Sequence, residues 1–385
     1  MHRRKLIALG AAVATAGCLG HGATPDGEDL LADAVETRTR GIEDLRAIRR
    51  TTTETAGERT SRTERVFQRP PVAVRREVLE SGDPSTPPGS VVVRNRGTRW
   101  EYDPEAGRVL KRYRPNRIVA DRTRMVLEDM AEAGGLNYRG VETIDGRNAH
   151  AVEVVTDRGE GLRVSVNLTV GDERYVLPIR ELSEAERSAA ELHRTVWIDD
   201  EERYPIGERN TVEIDGEPYH DVTVRFEDLA IDAGIDDDRF RFDPPESATV
   251  VERGTEPTAV TEERARAREF VPYALPEPSV PDGYELDRIT VIEREKEVVT
   301  TLWYDDRSLP EREMYVQLRE TRRFEKAPLE ATTLENGRTV YHRDGRIESA
   351  FWTCGGLSYE VSSPLFEAPV LDVAASIACP PETDS

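Results

Sequence analysis

An α+β fold dominated by antiparallel strands is what this chain of 385 residues predicts, on three observations. Runs of alternating apolar and polar residues recur along most of it, the pattern of strands that bury one face. Asp-Gly and Asn-Gly dipeptides join several of those runs, as tight hairpin turns require. Helical spacing is confined to a few short stretches. Together they predict a curved sheet with helices on one face, followed by a smaller α+β unit with its own antiparallel sheet.

From the N-terminus, Met1–Lys5 is basic and Leu6–Ala16 is apolar and small. About 11 apolar residues fall short of the roughly 20 a membrane-spanning helix needs, and they suit the h-region of a secretory leader, residues 1–17. Ala16 and Gly17 precede Cys18, an arrangement that resembles the lipobox of lipoproteins and implies cleavage before Cys18 and lipid attachment to it. Arg3-Arg4 resembles a twin-arginine export signal. The plainer alternative is a secretory leader with an incidental cysteine. In an exported chain the remaining pair, Cys354 and Cys379, is expected to form a disulfide.

Leu30, Leu31, Ala34, Val35, Ile42, Leu45 and Ile48 recur at helical spacing and predict an amphipathic first helix. Strands follow. "SVVVRNRGTRWEYD" alternates up to the turn Asp103–Gly107, and Asp145-Gly146 and Asp215-Gly216 each join two alternating runs. A helix over Ile118–Ala133, with Met125, Leu127 and Met130 in its apolar part and Gly134 as its stop, interrupts them; Ser183–Glu186 is a capping box for another. Residues 253–282 carry five prolines and a charged stretch, which predicts a linker between a first domain, 18–252, and a second, 283–385. In the second, Asn336-Gly337 and Asp344-Gly345 predict hairpins, "ESAFWTCGGLSYEVSS" reads as strand, turn, strand, and a helix is expected near Pro369–Ile377.

Net charge is -22, and lysine occurs only at Lys5, Lys111, Lys296 and Lys326. Loss of the leader removes Arg3, Arg4 and Lys5 and makes the mature chain more acidic still. Such a surface repels itself in dilute buffer and is screened at molar salt, as suits an extreme halophile, with an acidic protein at ordinary salinity as the alternative. No segment has a basic stripe for nucleic acid. His150, His193, His220 and His342 stand alone in sequence, and no nucleophile, zinc or phosphate-loop motif occurs, so neither catalysis nor a metal or other cofactor is expected. The acidic runs Asp199–Glu202 and Asp236–Asp238 read as solvated turns.

Three stretches in order resemble the LolA-like lipoprotein carriers, whose relatives include a sigma-regulatory envelope protein: "VFQRPPVAVRRE", "RNRGTRWEYDP" and "DDDRFRFDPPESATVV". The resemblance implies a half-open antiparallel β-barrel covered by helices around an apolar cavity for acyl chains. It places a cavity gate at Arg69 and suggests Trp100, Tyr102, Phe240 and Phe242 as cavity lining. Read from the residues alone, Arg69 is a surface arginine on an edge strand and the aromatics are core. "GGLSYEVSSP" with "VLDVAASI" resembles a C-terminal domain of unknown function in membrane-attached envelope proteins, with no activity attached. Asn167-Leu-Thr169 is a glycosylation sequon within a strand-like run.

The expectation is therefore a non-catalytic, haloarchaeal-type lipoprotein, anchored by lipid on the outer face of the cytoplasmic membrane and binding a lipid or the acyl chains of a lipid-modified protein. The alternative is a cell-surface sensor or interaction module with a filled cavity and a membrane-protein partner.

Overall fold

The computed structural model describes residues 26–39, 42–55, 57–118, 122–133, 135–156, 165–170, 173–178, 189–306, 309–322, 324–326, 329–345, 347–364 and 369–379. The leader with Cys18 and the Ser183 capping box lie outside them.

The expected first helix divides. α1 is Gly27–Thr39, begun by Asp26, whose carboxylate accepts from the Glu28 N–H at 3.1 Å, and carrying Glu28 and Asp29 at the positive end of the helix dipole. Leu45 and Ile48 instead belong to a strand, β1 (Leu45–Thr55), where Leu45, Ala47, Arg49 and Thr51 alternate inward. Both patterns contain the apolar residues; what the helical reading passes over is that Arg49 can be buried, because an acid meets it from the next strand.

Sequential hairpins add β2 (Glu58–Arg69), β3 (Ala73–Ser81), β4 (Val91–Arg94), β5 (Thr98–Asp103) and β6 (Arg108–Tyr113). The second helix, α2, is Arg122–Ala133 and buries Val126, Leu127 and Met130. Then come β7 (Leu136–Ile144), β8 (Arg147–Thr156), a separate hairpin of β9 (Ser165–Val170) and β10 (Glu173–Pro178), and β11 (Ala190–Asp199), β12 (Pro205–Ile214) and β13 (Glu217–Ile231). Asp145-Gly146 and Asp215-Gly216 make the β7–β8 and β12–β13 turns, all four residues at positive φ.

Among the described residues the first sheet runs β14-β6-β5-β4-β3-β2-β1-β13-β12-β11-β8-β7, with β14 being Thr249–Arg253. Two meanders are thus joined where β1 lies beside β13, from Leu45 opposite Ile231 to Thr55 opposite His220. The sheet does not close on itself. Its helix-side face is apolar near α1 and α2, where Val152, Val154, Val196 and Ile198 meet Leu30, Leu31, Leu127 and Met130.

Further across, the same face turns polar. The register Val196–Glu208–Val224–Thr51 carries that face from β11 to β1, and it presents Asn210, Glu208, Arg49 and Glu64, all buried. Arg194 Nε donates to Asn210 Oδ1 at 2.9 Å and Arg49 Nη2 to Glu64 Oε2 at 2.6 Å.

Phe240 and Phe242 alternate as strand residues do, yet no strand runs through them. Asp237–Phe240 is a 3-10 turn, and Arg241–Ala248 has no ladder partner among the described residues, in keeping with Pro244 and Pro245, which cannot donate to one. The chain pairs again only at β14, which runs parallel to β6.

Residues 253–282, mostly exposed, touch the second sheet at a few points. β15 (Ala259–Thr261) edges the second sheet, a short α3 (Arg264–Ala267) follows, and Ala267 and Leu275 are buried in that sheet's core. The second sheet adds β16 (Tyr284–Arg294), β17 (Glu297–Asp306), β18 (Leu309–Arg319), β19 (Glu330–Thr333), β20 (Thr339–Arg343), β21 (Glu348–Cys354) and β22 (Leu357–Ser363), in the order β15-β16-β17-β18-β22-β21-β20-β19.

One face of this sheet is apolar, with Ile289, Leu302, Met314, Val316, Val361 and Trp352 in one buried cluster that also takes in Val370 and Val373 of α4 (Val370–Ser376). Cys354 is bonded to Cys379, Cα to Cα 5.7 Å, so the end of β21 holds the segment after α4. The opposite face is polar yet largely shielded: Thr290, Thr301, Ser349 and Ser362 are at most 1% exposed. Gln317 Nε2 donates to Thr301 Oγ1 at 2.9 Å, and Ser362 to Ser349 at 2.8 Å.

Candidate functional site: an arginine-lined cleft between the sheets

The first sheet reaches that polar face through two turns. Arg96, from the β4–β5 turn, pairs with Glu313 and with Asp287 at 3.3 Å; Glu313 is 1% exposed, so this ion pair is shielded from water. Asn116, just after β6, accepts from Thr290 Oγ1 at 2.6 Å and from Trp303 Nε1 at 3.4 Å, while the Arg288 guanidinium lies 4.5 Å from the Trp303 ring centroid.

Beside these contacts the sheets part into a cleft of about 900 Å3. Its floor is the polar face of β18, β22, β21 and β20: Tyr315 and Gln317 on β18, Glu360 opposite Gln317 on β22, Phe351 opposite Glu360 on β21, and Arg343 at the end of β20. Its roof is Tyr113–Arg117 with Gly254 and Thr255. The described lining includes five arginines (Arg114, Arg117, Arg294, Arg319, Arg343) and two carboxylates, Glu325 and Glu360, and Arg294 pairs with Glu297 at 3.4 Å. Glu360 is engaged by Tyr315 Oη at 2.6 Å. Burial and the neighbouring Glu360 carboxylate both push the Tyr315 phenol upward, so it stays a donor at any physiological pH. Among the described residues that line the cleft there is no histidine or cysteine.

Gly254 sets the height of the roof. It sits at φ +85°, and a Cβ there would lie 2.7 Å from the Tyr113 carbonyl oxygen. Gly254→Ala is therefore expected to destabilise the fold by about 1–3 kcal/mol through strain and backbone displacement. Denaturant midpoints of the two proteins check this; equal midpoints would show that the roof adapts.

Of the residues expected to form a lipid site, Arg69 lies at the end of β2, where it pairs with Asp237, donates to the Ile235 carbonyl and stands 5.2 Å from the Phe240 ring centroid. It clamps 235–240 against β2. Phe240 is buried beneath it, and Tyr102 meets Phe242 with ring centroids 5.9 Å apart. Trp100 is half-buried on β5, opposite Val93 and Lys111. None of these borders the cleft. They also lie outside the lining of the apolar pocket under α2, which Val126, Leu127, Val196 and Phe226 enclose. That pocket has about 30 Å3, room for a water or so and not for an acyl chain. Asn167 lies on β9, opposite Val176. Cys18 falls outside the described residues.

The histidines that stand alone in sequence do not do so in space. His150 bridges Tyr138 Oη at 3.0 Å and Asp200 at 2.8 Å, and His220 meets Thr55 Oγ1 at 2.6 Å. His193 lies 3.5–3.8 Å from Glu213, Glu191 and Glu153, which strand pairing brings to one face. Cross-strand neighbours such as these have no signature in spacing, and neither has the cleft, whose arginines come from the β6–α2 loop and from three strands of the second sheet.

No protein-family model matches the chain, and no curated protein matches it. Solved structures do show similarity. The Pseudomonas aeruginosa MucA/MucB complex gives 14% identity over 92% of this chain and 99% of that one, with a TM-score of 0.31. A LolA superfamily protein from Nitrosomonas europaea gives 10% identity, 57% and 99% coverage and a TM-score of 0.25. The lipoprotein LppX of Mycobacterium tuberculosis gives 11% identity, 54% and 97% coverage and a TM-score of 0.30. Likenesses of this size do not define a family for the chain.

Proposed function

We propose that this chain is a non-catalytic binding protein, anchored through lipid on Cys18 to the outer face of the cytoplasmic membrane, which takes a lipid or a lipid-modified chain in the cleft between its sheets. The observation that carries the reading is the cleft itself: about 900 Å3 in which Tyr113, Phe324 and Phe351 offer apolar surface and Arg343 offers a guanidinium. Rings and methylenes removed from water together gain about 25 cal/mol per Å2, and polar groups within a concave site fix the ligand's orientation. The Ala16-Gly17-Cys18 run supports the anchor, since two chains attached at one cysteine hold a protein to a bilayer where one is marginal. The acidic, lysine-poor surface supports a halophilic host.

A second reading, a cell-surface sensor that reports its ligand to a membrane partner, is favoured by the first sheet. Its helix-side face is occupied by the Arg49–Glu64 and Arg194–Asn210 contacts and by the small pocket under α2, which leaves little room there for cargo to be carried.

Mass spectrometry of the full chain, purified from its native membrane at molar salt, tests the proposal. A mature N-terminus at a lipid-modified Cys18 and about one equivalent of co-purified lipid are expected, with a photoreactive alkyl probe crosslinking to β18 and β22. An unmodified Cys18 overturns the anchor. A folded, empty protein that the probe does not label overturns lipid binding.

A further inference from the structure

Three rings at one end of the cleft form a continuous platform: Phe324 lies 5.5 Å, centroid to centroid, from both Tyr341 and Phe351. A cation stands against each. Arg322 is 5.9 Å from the Phe324 centroid, Lys326 is 4.8 Å from Tyr341 and Arg343 is 5.3 Å from Phe351. Lys326 is one of only four lysines in the chain. Arg343 Nη2 also donates to Ser349 Oγ at 2.8 Å, and Ser349 is itself fixed by Ser362. Among the described residues none of the three cations has a carboxylate partner, although Asp and Glu number 75 in the sequence.

Ring contacts orient a cation without neutralising it, so its full charge remains for a ligand. A guanidinium held by a ring and a hydroxyl has given up rotamer freedom in advance, and its free N–H groups suit the paired oxygens of a tetrahedral oxyanion. Two features make this a receptor and not a solvated face. Phe324 is buried beneath the cations, and Arg343, Phe324 and Phe351 all line the cleft.

Resting on the cleft as the ligand site, we infer that this end of it seats an anionic head, a phosphate or sulfate group, whose apolar remainder lies along the rings. Arg343 is the central contact, with Arg322 and Lys326 beside it. The source of the group is either an amphiphile or a free oxyanion, and binding experiments separate the two.

The full chain is titrated at 1 M KCl, where the screening length is about 3 Å and only direct contacts discriminate. The probes are dodecyl phosphate, the uncharged dodecyl maltoside and inorganic phosphate. Dodecyl phosphate is expected to bind at least 10-fold more tightly than the maltoside, and Arg343→Gln to abolish that preference. Lys326→Gln, on an exposed side chain, is expected to reduce the preference in part, and it serves as the second variant if Arg343→Gln alters the fold. Inorganic phosphate binding as tightly as dodecyl phosphate would identify a free anion as the occupant. Equal affinity for phosphate and maltoside amphiphiles in the unmodified chain, or a preference untouched by both variants, overturns the inference and leaves the cleft reading intact. No binding of any probe overturns the cleft reading itself.

Discussion

Glu64→Gln is expected to cost about 3–5 kcal/mol of folding stability, because it leaves buried guanidinium charge without its counter-ion. Arg49 is 1% and Glu64 4% exposed, Arg49 reaches Glu64 Oε2 through Nη2 and Nε at 2.6 and 3.1 Å, and Arg62 adds a contact at 3.3 Å. Burial opposes ionisation of Glu64, yet the Arg49, Arg76 and Arg62 charges outweigh it and hold the carboxyl below the ordinary range.

The sign of the pH dependence follows. A depressed carboxyl stabilises fully above its unfolded value, about 4.3, and that stability is lost as pH falls through the folded value. Urea unfolding of the two proteins at pH 7 and pH 3.5 checks both points. The difference between them should shrink at the lower pH, and replacing Arg49 and Glu64 together by Met and Leu should recover much of the loss. A single variant as stable as the parent would show that water reaches this pair.

Loss of the disulfide ranks beside it. Cys354 and Cys379 are 25 residues apart in sequence, and the chain-entropy model assigns a bridge of that span about 3.5 kcal/mol. The effect falls on α4, a helix of only 7 residues that depends on tertiary contacts. Those contacts are the burial of Val370 and Val373 and a cap on the C-terminal carbonyls, where Arg338 donates to Ala374 and Ile377 at 3.0 and 2.6 Å and Asn336 to Ala375 at 2.7 Å. Cys354→Ser with Cys379→Ser is expected to speed amide exchange across 370–377 while leaving β16–β18 protected. A reducing agent should reproduce this in the parent and change nothing in the variant; insensitivity of the parent would mean that the bond is dispensable.

The order of secondary structure was largely legible, since hairpin dipeptides and alternation act over a few residues. Asp145-Gly146, Asn336-Gly337 and Asp344-Gly345 all stand at turns between paired strands. Errors arose where a local pattern fits two structures or where a partner lies far away. Leu45 and Ile48 satisfy helical spacing, and only Glu64 across the ladder makes the strand possible by burying Arg49. Phe240 and Phe242 alternate like a strand, but the prolines behind them remove the ladder donors.

The candidate site was illegible for a stronger reason. Its floor is the second face of a sheet whose other face already satisfies the hydrophobic pattern, and a sequence announces apolar faces far better than shielded polar ones. The Arg343, Phe351 and Phe324 cluster joins residues from two strands and the segment between β18 and β19.

The seam between β1 and β13 also governs how the molecule comes into being. Leu45 waits for Ile231, on the order of 190 residues away, and at a synthesis rate of about 5–20 residues per second the interval is roughly ten to forty seconds. During it one edge of the nascent β1–β6 meander is an open template for any extended chain. That edge reads Leu-Arg-Ala-Ile-Arg-Arg-Thr-Thr-Thr-Glu-Thr, with three cations and a run of threonines and scarcely an apolar residue past Ile48. Arg46 and Arg50, whose side chains are exposed, thus guard that edge against aggregation. An alanine or valine in place of Arg46 or Arg50 would expose its cost in the yield of folded protein before any cost in the stability of the finished one.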